Sequence, residues 1–315
     1  MREHGRSGLS WERLRQRADL MAAIRAYFAA CGVVEVDTPS LRPTCASDPH
    51  IPALAAGEAA EPQFLQSSPE ALMKCLLAEH GRPIYQLGKV YRAGELGRLH
   101  QPEFTMLEWY RPGWSMQNLM DEVVAILRLL EPAVTQVDTL DWRSVFVEHT
   151  SLEPEADRHA LAQRAAGLGV SRQLLETADP RALRDLLFSH CVQPTLGQDR
   201  PVFVTGFPAE EAAFARLDPA DDTRALRFEL YWAGVELANG GEELTELDAW
   251  RRRASADLEY RRRAGLPVMA IDADWVAALE LGLPAASGVA LGVDRLLMCA
   301  LGANAVGHVM PFARD

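Results

Sequence analysis

The sequence predicts one mixed domain of helices and strands, with strands distributed over its whole length. Two observations carry this. Strand-like runs recur near residues 33–39, 84–110, 201–205, 227–232 and 288–295, and amphipathic helical runs lie between them. No fixed-period repeat and no low-complexity linker interrupts the 315 residues.

The elements follow in order. Leu14, Ala18, Met21, Ile24 and Phe28 recur at three- and four-residue steps, so 11–31 reads as a helix that Gly32 ends. Val33 to Asp37 alternates like a short strand and Pro39 stops it. Residues 43–63, rich in Pro, Ala and Gly, read as a loop or an irregular edge hairpin. Ser68-Pro69-Glu70 opens a helix with a hydroxyl cap and a proline at the first position, and Leu72, Met73, Leu76 and Leu77 form its apolar face. Residues 84–110 read as a hairpin and 116–130 as a helix. From 132 to 200 the signal is weak, with helical fragments at 161–168 and 181–191 broken by Pro154, Pro180 and Pro194. A helix rich in Arg and Glu covers 246–264, and Gly288 to Arg295 leads into a last helix ending near Leu301.

Composition narrows the function classes. The apolar and charged fractions, 48% and 24%, are ordinary for a globular protein. No apolar run is long enough to span a membrane, and the charged start, Met1 to Arg6, has no apolar stretch behind it as a secretory signal would. The formal charge of −12 argues against a dedicated nucleic-acid binder, which draws affinity from cationic groups. The two dense basic clusters, 251–253 and 261–263, read as a solvated helix face or as a docking surface. Five widely spaced cysteines, Cys31, Cys45, Cys75, Cys191 and Cys299, read as free or buried thiols in a reducing cytoplasm.

Three segments carry chemistry. In the hairpin, Arg92 ends one strand, His100 stands in the loop and Phe104 begins the returning strand, so two phosphate-binding groups face a flat ring that suits a nucleotide base. In Gly288-Val289-Ala290-Leu291-Gly292-Val293-Asp294-Arg295, small residues alternate with a period of two. Such a strand either lets a planar base approach its backbone, with Arg295 meeting a phosphate, or packs under a helix. Glu236 and Glu243, with the Asn239 amide between them, either ligate Mg²⁺ with phosphate oxygens or flank a turn in solvent.

In combination and order, these segments resemble the signature of class II aminoacyl-tRNA synthetases: 26–39 resembles motif 1, 91–108 motif 2 and 288–295 motif 3. The wording of 100–108 and 235–240 is similar to lysyl-tRNA synthetases, and that of 68–70, 102–112 and 287–295 to their shorter relatives, the elongation factor P lysine ligases. The resemblance spans 11–314 and thins between 132 and 200. It implies an α+β fold, an antiparallel sheet flanked by helices, in one catalytic domain over 1–315 assembled as a cytoplasmic homodimer through motif 1. It implies ATP and Mg²⁺ as cofactors, and (R)-β-lysine or lysine as the acid activated to an adenylate. The acceptor would be a lysine side chain of elongation factor P. Because the core begins almost at Met1, no anticodon-binding domain and no tRNA anticodon recognition are expected.

By the same resemblance Arg92 holds the α-phosphate and the substrate carboxylate, His100 meets the outer phosphates, and Phe104 with Arg295 sandwiches adenine. Gly94, Gln101, Glu236, the Leu237 backbone and Gly292 complete the ATP site, with Mg²⁺ on Glu236 and Glu243. Ser68, Pro69, Glu70, Tyr110, Asn239, Glu243 and Ala290 form the amino-acid pocket. Several positions depart from the pattern, among them Gln101, where asparagine is common, and Gly241, where an aromatic is usual. Ala93-Gly94-Glu95 follows Arg92 where the family has an Arg-x-Glu, so either Glu95 acts after a one-residue shift or the adenine contact is made by backbone alone. Ala290 stands where lysyl-tRNA synthetases usually carry glycine, and Ser68 where they usually carry alanine. These changes would reshape the pocket floor in favour of a β-amino group. Retention of Arg92, His100, Glu236, Glu243 and Arg295 argues against a catalytically dead relative.

Overall fold

Ser10 accepts the Arg13 N–H at 3.2 Å and so caps α1 (Trp11–Ala30), whose Leu20, Ile24 and Phe28 are buried. The computed structural model describes residues 7–44, 51–57, 63–263, 265, 268 and 270–314. Cys45, part of 43–63 and the last residue of the 246–264 helix lie outside them. The chain divides into two units, Met1–Pro132 with Gly240–Asp315, and Ala133–Asn239.

In the first unit, β1 (Val34–Glu35) is shorter than the 33–39 alternation predicts, because only these two residues pair, parallel to a later strand. Where a loop or edge hairpin is expected, β2 (Leu41–Arg42), β3 (Leu54–Ala56) and β4 (Gln63–Leu65) form a small sheet with β4 central. α2 (Glu70–His80) starts one residue later than predicted, with Pro69 as its cap and Gly81, at φ 59°, ending it. The hairpin of β5 (Ile84–Tyr91) and β6 (Glu103–Pro112) is antiparallel, Ile84 facing Tyr110 and Tyr91 facing Glu103. α3 (Met116–Leu130) begins with a capping box between Ser115 and Asn118. Its buried Glu122 accepts from Trp109 Nε1 and Arg111 Nε, each at 2.8 Å, which pins the helix to β6. Phe28 stacks on Tyr85 at 4.4 Å, fixing α1 on the other strand of the hairpin.

The second unit holds the part of the sequence with the weakest signal. It contains β7 (Asp138–Asp141), α4 (Trp142–Thr150), α5 (Arg158–Ala166), α6 (Arg172–Thr177), α7 (Pro180–Leu187), β8 (Val202–Thr205), β9 (Leu217–Asp218), β10 (Asp221–Ala225), β11 (Arg227–Trp232) and β12 (Val235–Glu242), the last strand running on into the first unit's second segment. Pro180 starts α7 rather than breaking it, because Asp179 caps that helix by accepting the Ala182 N–H. The core stacks Trp142 between Phe146 and Phe188.

The chain returns to the first unit through α8 (Leu247–Arg263), α9 (Ala273–Leu281), β13 (Ala286–Gly292) and α10 (Val293–Ala300). β13 pairs antiparallel with β6, from Ala286 opposite Pro112 to Gly292 opposite Met106, so β6 is central between β5 and β13. The first unit is therefore a largely antiparallel sheet, with β1 parallel to β5 at its edge and helices against it, close to what the resemblance implies. Of the basic clusters on α8, Arg251, Arg252, Arg262 and Arg263 are exposed, whereas Arg261 is buried. Cys31, Cys75 and Cys191 are free thiols, and burial pushes Cys75 and Cys299 up to about 11, away from reactivity.

Candidate active site

The alternation of β6 puts Phe104, Met106, Glu108 and Tyr110 on one face, and the register sets Gly292, Ala290 and Gly288 opposite the last three. Phe104 and Glu108, four residues apart, stand about 13 Å from one another along the strand. A cationic, aromatic end and an acidic end thus share one surface.

At the cationic end the Arg92 guanidinium lies 5.2 Å from the Phe104 ring centroid, and its Nε donates to the Ser67 carbonyl at 3.4 Å. Glu95 stands 3.8 Å from the Arg92 guanidinium, so the shifted glutamate reaches the motif 2 arginine. Gly94 takes φ 75°, which the turn between them requires. Arg295, in the first turn of α10, donates to His100 Nε2 at 2.6 Å and to the Leu99 carbonyl at 3.3 Å. Because arginine can only donate, His100 accepts through Nε2 and carries its own proton on Nδ1. Gln101 is buried and exchanges two hydrogen bonds with the Arg314 backbone, at 2.9 and 2.8 Å. Asp294 accepts the Thr105 N–H at 2.6 Å and pairs with the buried Arg17, whose NH2 donates to Thr105 Oγ1 at 2.6 Å. That network holds the residues next to Phe104 and Arg295 in register with α1.

At the acidic end Ser68 Oγ donates to Glu108 Oε2 at 2.7 Å, and the Tyr110 hydroxyl donates to Glu108 Oε1 at 2.6 Å. Ser68 Oγ also accepts the Glu70 N–H at 3.1 Å, so the hydroxyl expected as a helix cap links α2 to β6 as well. Lys74 reaches Glu70 at 2.6 Å and Glu243 at 2.5 Å. Burial, and then Glu70, push Glu108 up to about 7 against the hydrogen bonds from Tyr110 and Ser68. Burial likewise pushes Glu243 up to about 7 against the pull of Lys74. Tyr110 is raised well above its ordinary value by burial and by Glu108.

Ser68, Pro69, Glu70, Tyr110, Glu243 and Ala290 meet here. The sequence reading left Glu108 and Lys74 out of the pocket. Both had a local signal: Glu108 is two residues from Tyr110 on a strand, and Lys74 is four from Glu70 on a helix.

Glu236, Leu237 and Asn239 stand on β12 in the second unit. Both Asn239 amide atoms are engaged there: Nδ2 donates to Glu229 and Oδ1 accepts from Arg227, each at 3.2 Å. Glu229 is pushed up to about 7 by burial, against Arg227 and with Glu236 adding to the shift. Among the described residues no group of three or more His, Cys, Asp or Glu is arranged as a metal cage. A Mg²⁺ held by one or two carboxylates and phosphate oxygens requires none.

A family profile described as tRNA synthetases class II (D, K and N) matches residues 6–315. A protein of Edwardsiella ictaluri (strain 93-146), called elongation factor P–(R)-β-lysine ligase, is 44% identical over 313 residues, covering 96% of this chain and 95% of its own. The proteins of the same name from Yersinia pestis (strain Pestoides F) and Yersinia pseudotuberculosis (strain IP 31758) are each 42% identical over 309 residues, covering 95% and 94%. The chain belongs to the class II tRNA synthetase family of the D, K and N kind.

Proposed function

We propose that the chain activates (R)-β-lysine or lysine with ATP as an aminoacyl-adenylate and ligates the acyl group to a lysine side chain of elongation factor P. The observation that carries this reading is the single face of β6 with a cationic aromatic end and a carboxylate-lined end. The first suits a nucleotide triphosphate, the second the ammonium groups of a diamino acid. The names of the relatives, which match over nearly the whole chain, support the acceptor.

In this reading Arg92 steadies the α-phosphate and the attacking carboxylate, while Phe104 and Arg295 enclose the adenine. His100 meets the outer phosphates. Gly94, Glu95, Gln101, Leu237 and Gly292 shape the nucleotide's surroundings, Gln101 by holding the loop to the Arg314 backbone. Mg²⁺, a hard cation suited to carboxylates, would be held with phosphate oxygens by Glu236 and Glu243 and would offset phosphate charge. Ser68, Pro69, Glu70, Tyr110, Asn239, Glu243 and Ala290 would contact or shape the amino acid. The enzyme supplies position and charge rather than a nucleophile, since the substrate carboxylate and then the acceptor amine make the attacks.

The match over residues 6–315 supports one catalytic domain made of both units. The exposed Val34 and Leu41, in and beside the motif 1 stretch, support a homodimer through that surface. A cytoplasmic site follows from modification of a translation factor, and a protein acceptor implies no need to read an anticodon.

Incubation with ATP, Mg²⁺, (R)-β-lysine and elongation factor P, followed by mass measurement of the factor, tests the reading. One aminoacyl adduct is expected, with pyrophosphate exchange that needs no RNA. An unmodified factor, or robust charging of lysine tRNA, would overturn it.

A further inference from the structure

β13 leaves its ladder with β6 at Gly292, which faces Met106, before the ladder reaches Phe104. Beyond that pair the strand backbones no longer space Phe104 from Arg295, and a side chain does so instead. Asp294 Oδ2 accepts the Thr105 N–H at 2.6 Å. Phe104 comes just before Thr105 and Arg295 just after Asp294, so this one bond stands a single residue from each.

Arg17 of α1 fastens both members of that bond. Its Nη1 donates to Asp294 Oδ1, and its Nη2 donates to Thr105 Oγ1 at 2.6 Å. One planar fork thus spans two segments, which the compact ammonium of a lysine could not do in the same geometry. Arg17, Thr105 and Asp294 are all buried, and the arginine balances a carboxylate that would otherwise be buried without a counter-charge. The post is firm, because Ile24 and Phe28 anchor α1 in the core and Phe28 stacks on Tyr85.

We propose that Arg17 is a positioning residue for nucleotide binding: through Thr105 and Asp294 it sets the gap between Phe104 and Arg295. It acts through those two residues rather than on the reacting atoms. The proposal rests on the reading in which Phe104 and Arg295 enclose the adenine of ATP, so the wild type and Phe104→Ala are measured first. No pyrophosphate exchange by the former, or an unchanged ATP KM in the latter, sinks that reading and the proposal with it.

The test of Arg17 itself is pyrophosphate exchange, with ATP and lysine varied separately, in Arg17→Lys and in Arg17→Lys with Phe104→Ala. The lysine keeps the charge against Asp294 but gives up the span to Thr105. Arg17→Lys should raise the ATP KM about tenfold, the lower end of what one hydrogen bond to a charged group contributes, while the lysine KM holds. With Phe104→Ala already in place the same change should raise it about twofold at most, because the gap has already lost one wall. An arginine with only a structural role would lower the melting temperature and add its full effect in either background. A folded Arg17→Lys with an unchanged ATP KM, with both KM values raised alike, or with its full effect retained beside Phe104→Ala overturns the proposal. If Arg17→Lys does not fold, Thr105→Val decides, since it leaves the Arg17–Asp294 pair and removes only the hydroxyl acceptor. A rise in the ATP KM alone, reversed in Thr105→Ser, upholds the assignment, and wild-type KM values in Thr105→Val overturn it.

Discussion

Gly288→Ala probes the pocket floor with a single methyl group. Gly288 faces Tyr110 in the ladder between β13 and β6. A Cβ built there would lie 2.5 Å from Glu243 Oε1 and 2.5 Å from Tyr110 Cδ1, well inside contact distance. Neither neighbour retreats easily. Tyr110 is buried with its hydroxyl on Glu108, and Glu243 is tied to Lys74. The backbone itself poses no obstacle, since Gly288 is not among the glycines with positive φ. The cost is thus overpacking, about 1–3 kcal/mol. If Tyr110 and Glu243 shift into the pocket, this appears as a rise of about 5- to 150-fold in the lysine KM with the ATP KM unchanged. If the core yields instead, it appears as a lowered melting temperature. Pyrophosphate exchange with lysine and ATP varied separately, alongside thermal unfolding, reads both. Wild-type KM values together with an unchanged melting temperature would refute the placement of Gly288 beneath the pocket.

Other changes separate the two ends of the β6 face. Arg295→Ala should abolish adenylate formation whichever amino acid is offered, whereas Glu243→Ala should weaken lysine binding more than ATP binding; equal small effects of both on both ligands would mean the site is misplaced. Ala290 faces Glu108 in the ladder, so Ala290→Gly should shift the adenylation-rate ratio from β-lysine towards α-lysine by about tenfold, or 1.4 kcal/mol, and Ser68→Ala should push the same way. An unchanged ratio in Ala290→Gly would dismiss that methyl group as a selector. Glu108 and Glu243 titrate near 7 when folded against 4.5 for an ordinary glutamate. The folded protein therefore binds more protons, and the stability they lend, full below about pH 4.5, is lost as pH rises through about 7. The melting temperature should fall over that interval, and less steeply in Glu108→Gln; identical slopes would contradict the raised values.

Much of the molecule was legible in the linear pattern where the cause is local. The apolar period of α1, the helical run over 116–130 and the hairpin over 84–110 are short-range features, and each element appears where they put it. Arg92, Phe104 and His100 share one hairpin, so their proximity follows from a turn, and Arg295 was marked by the small-residue strand before it. The sequence had no local means of announcing what distant segments do to each other. Arg17 and Asp294 are 277 residues apart, yet they join α1 to the first turn of α10. Pro180 looked like a break because only the Asp179 carboxylate on the Ala182 amide makes it a helix start. Glu108 and Glu243 are ordinary glutamates in a list of residues. Only the packing of α2, β6 and the segment after β12 strips their water, lifts their proton affinity and sets Lys74 beside Glu243, because desolvation is a property of neighbours in space rather than along the chain.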